Sequence, residues 1–402
     1  MINYLQYWLK ITIYICSGGK KYFTWIGFLL LLISAGVFAY YQQFKYGLLL
    51  TNMTDEVSWG VYIANFTFLV GVAAAAVLLV VPTYVYGRED VKEVVIFGEL
   101  MAVSAIIMCM LFVMVDLGHP DRFMHLIPKI GRLNFPSSIL AWDIIVLNVY
   151  LFINVHVSSY LLYKKYLGEA PSSFYYKPLV FLSIGWAISI HTVTAFLYSG
   201  LGGRPYWNSA ILASRFLVSA FASGPALMAI VFVIINKISH SNIKPSVIDL
   251  LRKILQFTLP LNLFLLFCEV FKEFYTNSVH TMSISYLFFG INGYGMLQPF
   301  IWTAIILSSI ASLIFLSPFS KRKIVLIIAS VMTVLSVWIE KGMGLIIPGF
   351  IPTPLGDLVE YTPSIIESVV SMGIWALGTL LFTLMIKAAI GIETGAISKI
   401  KK

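Results

Sequence analysis

Residues 94–122 read VVIFGELMAVSAIIMCMLFVMVDLGHPDR. The apolar run from Val94 to Val115 holds one charge, Glu99. At about 1.5 Å per residue it spans roughly 33 Å as a helix, the thickness of a hydrocarbon core. The run closes at Asp116, and Pro120 has no amide hydrogen and disfavours helical geometry at His119, so the helix is predicted to stop here with the imidazole beyond its last turn. Titratable groups at that level meet hydrocarbon on one side and water on the other, which suits proton chemistry. An ordinary helix terminus among lipid headgroups reads the same in isolation.

The rest of the chain repeats this pattern. Of 402 residues, 59% are hydrophobic and 11% charged, and the mean hydropathy is +0.89, outside the range of soluble domains. Ten apolar runs are long enough to cross a bilayer: roughly 23–41, 59–84, 94–116, 138–163, 177–199, 209–236, 250–275, 297–317, 323–346 and 365–390. The short alternating segments of a β-barrel do not occur. The fold class is therefore all-α membrane protein with ten transmembrane helices.

Nineteen of the 27 lysines and arginines fall on the side that carries both termini, in clusters such as Lys164-Lys165, Arg252-Lys253 and Lys321-Arg322-Lys323. By the positive-inside rule both termini are cytoplasmic, the protein is a multi-pass component of the cell membrane, and the DLGHPDR loop faces outward. This topology, with anionic lipid as the counter-charge, accounts for the net charge of +9 and leaves no argument for nucleic-acid binding. Cys16, Cys109 and Cys268 form no CxxC pair, so no cysteine-ligated iron–sulfur cluster or zinc site is expected in this chain, and no metal site of any kind. Residues 1–22 form a short amphipathic lead without a small-residue cleavage site, so span 1 is read as retained.

Span 1 is almost purely apolar and reads as a lipid-facing outer helix. Span 2 carries Trp59, Tyr62, Asn65 and Thr67 in its outer turns before the small-residue stretch Gly71–Ala76, which permits close packing. An asparagine facing lipid is costly, so Asn65 is expected to point inward. In span 4, Asp143, Tyr150 and Asn154 share a narrow arc at 100° per residue, with His156 nearby; in span 5, His191, Thr194 and Tyr198 share a face. Span 6 has Arg215, span 7 Glu269, span 9 Glu340 and Lys341, and span 10 Glu367. Intramembrane charges pair or meet water, so Arg215 is matched with Glu269 or Glu340. Segment 347–364, with four prolines, should be an ordered outer cap.

Spans 2 to 5 and spans 6 to 9 each form four helices of like orientation. Two four-helix bundles flanked by spans 1 and 10 follow, giving residues 1–58 as lead and peripheral helix, 59–199 and 200–346 as the bundles, and 347–402 as cap, last helix and tail. Depth along each helix places Trp59, Tyr62, Asn65, His119, Asp143 and Tyr198 near one outer level. Aromatic walls with a few hydrogen-bonding groups suit a flat ring with a lipid tail, and a quinol, whose redox chemistry moves two protons, fits. A haem cytochrome needs paired histidines at equal depth, whereas His156 lies roughly 27 Å and His191 about 12 Å from the outer ends of their spans. A secondary, proton-coupled transporter is the rival of a different class, although such proteins favour a midplane site on broken helices.

The span ending Leu117-Gly118-His119-Pro120-Asp121-Arg122, Trp59-Gly60-Val61-Tyr62 followed by Gly71-Val72-Ala73-Ala74-Ala75-Ala76, Ala141-Trp142-Asp143, and Tyr361-Thr362-Pro363-Ser364 with Glu367 together resemble the NrfD/polysulfide reductase family of membrane subunits. The resemblance runs from about 55 to 390, and the length is similar to that of the family's larger, DsrP-type (HmeB-type) branch, the integral membrane subunits of Hdr-like menaquinol oxidoreductases of sulfate reducers. It implies a subunit with no haem or iron–sulfur cluster of its own that binds exchangeable menaquinone or menaquinol near the outer face. It also implies an extracytoplasmic iron–sulfur subunit docked there, at Asp121 and Arg122, and cytochrome and Hdr-like subunits elsewhere. His119 and Asp143 match the family's quinone-site histidine and aspartate, and Tyr62 and Asn65 its ring-contacting face, with either of the two left open as the contact; Tyr198 completes the expected pocket. Glu99, Asp116, His156, His191, Glu269, Glu340 and Glu367 are the expected proton-transfer groups, each of the intramembrane ones equally readable as a structural ion-pair partner.

Overall fold

A computed structural model of the chain describes residues 2–127, 129–239, 243–279 and 281–399. Among them it is helical throughout, with only an isolated bridge between Ile291 and Tyr294. Helix α1 (Ile2–Ile15) is a short amphipathic segment, and α2 (Lys20–Tyr46) is the first span. The next is α3 (Val61–Ala74), prolonged through a π turn into one span Val61–Val85. Then come α4 (Glu89–Asp116), α5 (Ile139–Leu167), α6 (Ser173–Ser199), α7 (Leu212–Ile238) and α8 (Pro245–Thr276). A short α9 (Thr281–Phe289) precedes α10 (Gln298–Leu316), α11 (Lys323–Val337, continued by a π turn into the span Lys323–Phe350) and α12 (Ile365–Glu393). Ten of these are long and apolar enough to cross a membrane, so the protein is a ten-span integral membrane protein with the predicted fold class.

Helices α3 to α6 pack in a ring of neighbours as one four-helix bundle, and α7, α8, α10 and α11 pack as a second. The bundles meet where α3 lies against α7 and the π turn of α11, and where α6 lies against α7. A helix that is apolar all round belongs in an interior, and α3 sits there: 94% of its most apolar stretch is buried, against 17% for α2. Its small residues make the approach possible, since a side chain at Gly224 of α7 would occupy the place of the Ala75 methyl. On the flank, α12 runs along α4 and carries α2 on its outer side. There Gly36 and Gly373 face each other backbone to backbone, and a Cβ on Gly36 would stand 2.6 Å from the Gly373 Cα.

Local rules set the helix ends. Ser138 caps α5 through its hydroxyl, and Gly168 closes that helix at φ 74°, a left-handed conformation that glycine adopts without strain. Ser364 and Glu367 form a reciprocal capping box at α12. In segment 347–364, Phe350, Ile351 and Tyr361 are buried, and Arg204 stacks on Phe350 at 4.4 Å.

Candidate functional site

The helix ends that carry the 117–138 connection gather four polar side chains. Gln43, near the end of α2, donates from its amide to the Val115 carbonyl at 2.7 Å and accepts from the Tyr62 hydroxyl at 2.6 Å. These bonds fix the Tyr62 ring, which is fully buried. Asp116, the last residue of α4, has a carboxylate oxygen, Oδ1, that is buried without a hydrogen-bond partner, and it lies within electrostatic reach of Tyr62 and Glu367. A narrow groove opens beside this cluster, walled by Tyr40, Phe44, Leu48, Leu117 and Pro120 with Gln43 at its edge.

A second polar layer lies behind the first, between α3, α5 and α6. The Thr194 hydroxyl donates to Asp143 at 2.7 Å, and the Thr67 and Tyr198 hydroxyls share a 2.5 Å hydrogen bond. Tyr198 is in electrostatic reach of both Asp143 and Asp116 and so links the two layers. Its ring packs against Trp59, Trp207 and Phe216 at 5.6–5.8 Å. Asn65 points inward, as its cost in lipid demands, and its carbonyl accepts from the indoles of Trp338 and Trp375 at 2.9 and 3.1 Å. Asn65 is thereby a bolt joining α3, α11 and α12, fully engaged with protein.

Deeper in the membrane the buried groups divide by partner. His191 places Nδ1 3.0 Å from the Ala187 carbonyl, which can only accept, so the proton sits on Nδ1. Its Nε2 is buried without a partner, and Lys341 is in electrostatic reach. Lys341 sits on the π turn of α11, donates to the Phe216 carbonyl at 3.3 Å and lies 4.3 Å over that ring. Glu99 is buried near the far end of α4, with Oε2 unpartnered and Tyr84 and Tyr150 in electrostatic reach. In the second bundle Arg215 bridges Glu269 and Glu340, and Asn262 donates to the other Glu340 oxygen at 3.0 Å. The expected pairing of Arg215 thus takes both acids rather than one.

Three expectations change. His119 does not converge with Asp143: its side chain is 67% exposed on the connecting loop, 3.6 Å from Asp121, while Asp143 is buried. His119 lies beyond the end of α4 at Asp116, immediately before the 3-10 turn that starts at Pro120. His156 is exposed on the outer face of α5 and stacks on Phe152 at 5.6 Å. It stands about 200° around the helix from Asn154, off the polar stripe. Glu367 is held as a structural acceptor, taking hydrogen bonds from the Tyr361 hydroxyl (2.5 Å) and the amides of Asn52 (2.9 Å) and Ser364 (2.8 Å). Burial, and then the neighbouring Glu367, push the Tyr361 hydroxyl well above the usual tyrosine range, so it stays a donor.

Gln43 was not singled out by the sequence, because the apolar run of span 1 ends before it. The helix continues to Tyr46 and buries Leu29, Gly36, Ala39 and Gln43 on one stripe; that 7-3-4 spacing was the available signal. Lys341 was noted beside Glu340, but the π turn sets Glu340 against Arg215 and Lys341 against the Phe216 carbonyl, facing α3 at Gly71. Asp121 and Arg122 are exposed on the connecting loop.

A model of the family described as "Polysulphide reductase, NrfD" matches residues 49–351. The chain belongs to the NrfD family. A selenate reductase subunit of Mesobacillus selenatarsenatis is 24% identical to this NrfD protein, covering 92% of the chain and 93% of that relative. A putative dimethyl sulfoxide reductase membrane subunit of Halobacterium salinarum is 23% identical, over 89% and 88%. The Hdr-like menaquinol oxidoreductase integral membrane subunit of Archaeoglobus fulgidus is 25% identical, over 91% and 93%. The three identities are alike and favour none of these relatives over the others. As an NrfD protein the chain is a membrane subunit of oxidoreductase type, which implies partner subunits.

Proposed function

We propose that the chain is the quinone-reactive membrane subunit of a respiratory complex, exchanging electrons between menaquinol or menaquinone and an extracytoplasmic iron–sulfur subunit in sulfur- or sulfate-linked anaerobic respiration. The name of the Archaeoglobus relative supports the quinol. A bound quinol supplies two electrons and two protons; the protein's part is to hold and orient the ring and move the protons.

The side chains around the groove suit such a ring in chemistry, and the groove must widen to admit it. Tyr40 and Phe44 wall the groove, and Gln43, which lines it, accepts from the buried Tyr62 hydroxyl behind it. The observation that carries the reading is the buried Oδ1 of Asp116, a proton acceptor that has no hydrogen-bond partner among the described residues. In this reading Asp116 takes the proton of a hydroxyl at the groove, and Asp143 with Tyr198 forms the layer that holds it next. The exposed His119, Asp121 and Arg122 belong to the docking surface for the iron–sulfur partner, with cytochrome and Hdr-like subunits completing the complex. Both termini are cytoplasmic and the groove opens outward. Proton movement deeper into the membrane runs through the groups with unsatisfied atoms, His191 and Glu99, with Lys341 between the bundles. Glu269, Glu340 and Glu367 are structural.

Asp116→Asn in the purified, assembled complex is expected to lower menaquinol-dependent turnover by about 10²–10⁴-fold, the usual contribution of a general base. Assembly should be intact, because the lost acceptor has no hydrogen-bond partner among the described residues. Wild-type turnover in this variant would sink the groove as the reaction site.

A further inference from the structure

At the opposite, lysine-rich end of the molecule, the second bundle holds an open cavity of about 710 Å³ between α7, α8 and α11. It is unconnected with the quinone reading. Arg252 lines it and is 7% exposed, so its charge has been taken out of water. Its Nε and Nη2 bind Asp249 at 2.9 and 2.6 Å, which fixes the guanidinium plane, whereas Nη1 has only a 3.5 Å contact to Ser320. Lys321 and Lys323 stand at the rim, and among the described residues neither has an ion-pair partner. Against these three cations the lining holds one carboxylate, Asp249, which also binds Lys253 at 3.0 Å.

The backbone adds to the same field. The N-terminal turns of α8, at Pro245, and of α11, at Lys323, both border the cavity, and helix N-termini carry partial positive charge and free amides. The rest of the wall joins an apolar strip from Ile243, Ile248 and Leu326 to the uncharged polar side chains of Asn236, Ser239 and Ser320. A buried arginine with a donor to spare, two unpaired lysines, two helix N-termini and an apolar strip at a membrane surface describe a site for a phosphate with a hydrocarbon stem.

We propose that this cavity is a specific binding site for the phosphate headgroup of an anionic phospholipid, seated on Arg252, Lys321 and Lys323, with its glycerol and acyl stem along Ile248 and Leu326. Its volume lies in the range that holds one small-molecule-sized group, which suits a headgroup and glycerol. The shared chemistry is a phosphate anion, and the apolar strip favours the lipid as its source over free phosphate.

The test uses the full chain purified in detergent, stripped of lipid and titrated with phosphatidylglycerol, phosphatidylcholine or inorganic phosphate under native mass spectrometry. One phosphatidylglycerol should bind at lower concentration than phosphatidylcholine. Each basic group near an anionic headgroup contributes about fivefold, so Lys321→Gln with Lys323→Gln should weaken that binding by roughly 30-fold. Both lysines are exposed, so this variant keeps its fold, and unchanged helicity and elution verify it. Arg252→Met gives a second reading of the same loss. Equal binding of the two lipids, full binding by the double variant, or displacement of phosphatidylglycerol by an equal concentration of inorganic phosphate would each overturn the proposal.

Discussion

Glu367 and Asp116 are carboxylates on adjacent helices at one end of the protein, and their partners separate their roles. Glu367 accepts from the Asn52 amide in the segment before α3 and from Tyr361 and Ser364 just ahead of α12, so its oxygens are used to hold structure. A hydrogen bond to a charged acceptor is worth about 1.5–3 kcal/mol. Tyr361→Phe removes one, together with the acceptor for the Val61 amide at 3.0 Å, and should lower stability by about that amount in a denaturation series. Asp143→Asn keeps the Thr194 hydrogen bond but loses the charge, so it is expected to slow quinol turnover while melting within a few degrees of wild type. Tyr206 offers a pH test. Burial, opposed by Arg215, raises its hydroxyl to about 12, and only the protonated form can donate to the Gly344 carbonyl at 3.2 Å. The unfolded chain releases this proton near pH 10 and the folded one near 12. The contribution is therefore complete below pH 10 and lost as pH rises toward 12. A Tyr206→Phe variant should show a shallower alkaline fall in melting temperature. Which carboxylate is bonded and which is free was beyond sequence reasoning: both read as acids at span ends, and only the packed neighbours distinguish them.

Among the elements, the π turn of α11 has the largest mechanical consequence. One extra residue per turn rotates consecutive side chains differently from an α-helix, so Glu340 meets Arg215 in the second bundle while Lys341 reaches Phe216 at the boundary with the first. Arg215→Met leaves Glu269 and Glu340 buried without their cation and should cost about 3–5 kcal/mol. Adding Glu269→Gln and Glu340→Gln should recover much of it, and equal instability of the single and triple variants would show that the arginine serves by packing alone. The pair α2 and α12 depends on Gly36 and Gly373. Gly373→Val should force these spans apart and carry Gln43 from Tyr62, so loss of quinol binding would accompany loss of packing. Apolar run lengths made all ten spans legible, and helix ends landed within a few residues because caps and prolines are local. The π turn was not legible, since nothing in Trp338–Met343 departs from helical composition.

Across the full assembly of spans, charge asymmetry predicts which side each loop occupies. A single cysteine introduced at Asp121 should react with a membrane-impermeant maleimide from outside intact cells, and one at Lys399 only after the membrane is opened; the reverse pattern would invert the assigned topology. The two bundles were visible as two sets of four spans, because a bilayer forces apolar helices of similar length into short-looped neighbours. Hydrophobic length and helical period, both written in the linear chain, were enough for the class and the spans, while the family resemblance lay in short motifs such as Ala141-Trp142-Asp143. Packing alone settled that His119 stands outside in solvent, that His156 faces outward, and that Gln43 comes down from a flanking helix to fix Tyr62 beside Asp116. Those outcomes depend on how helices far apart in the chain rotate and pack against one another, and side-chain contact between them is a property of the assembled bundle that no single span encodes.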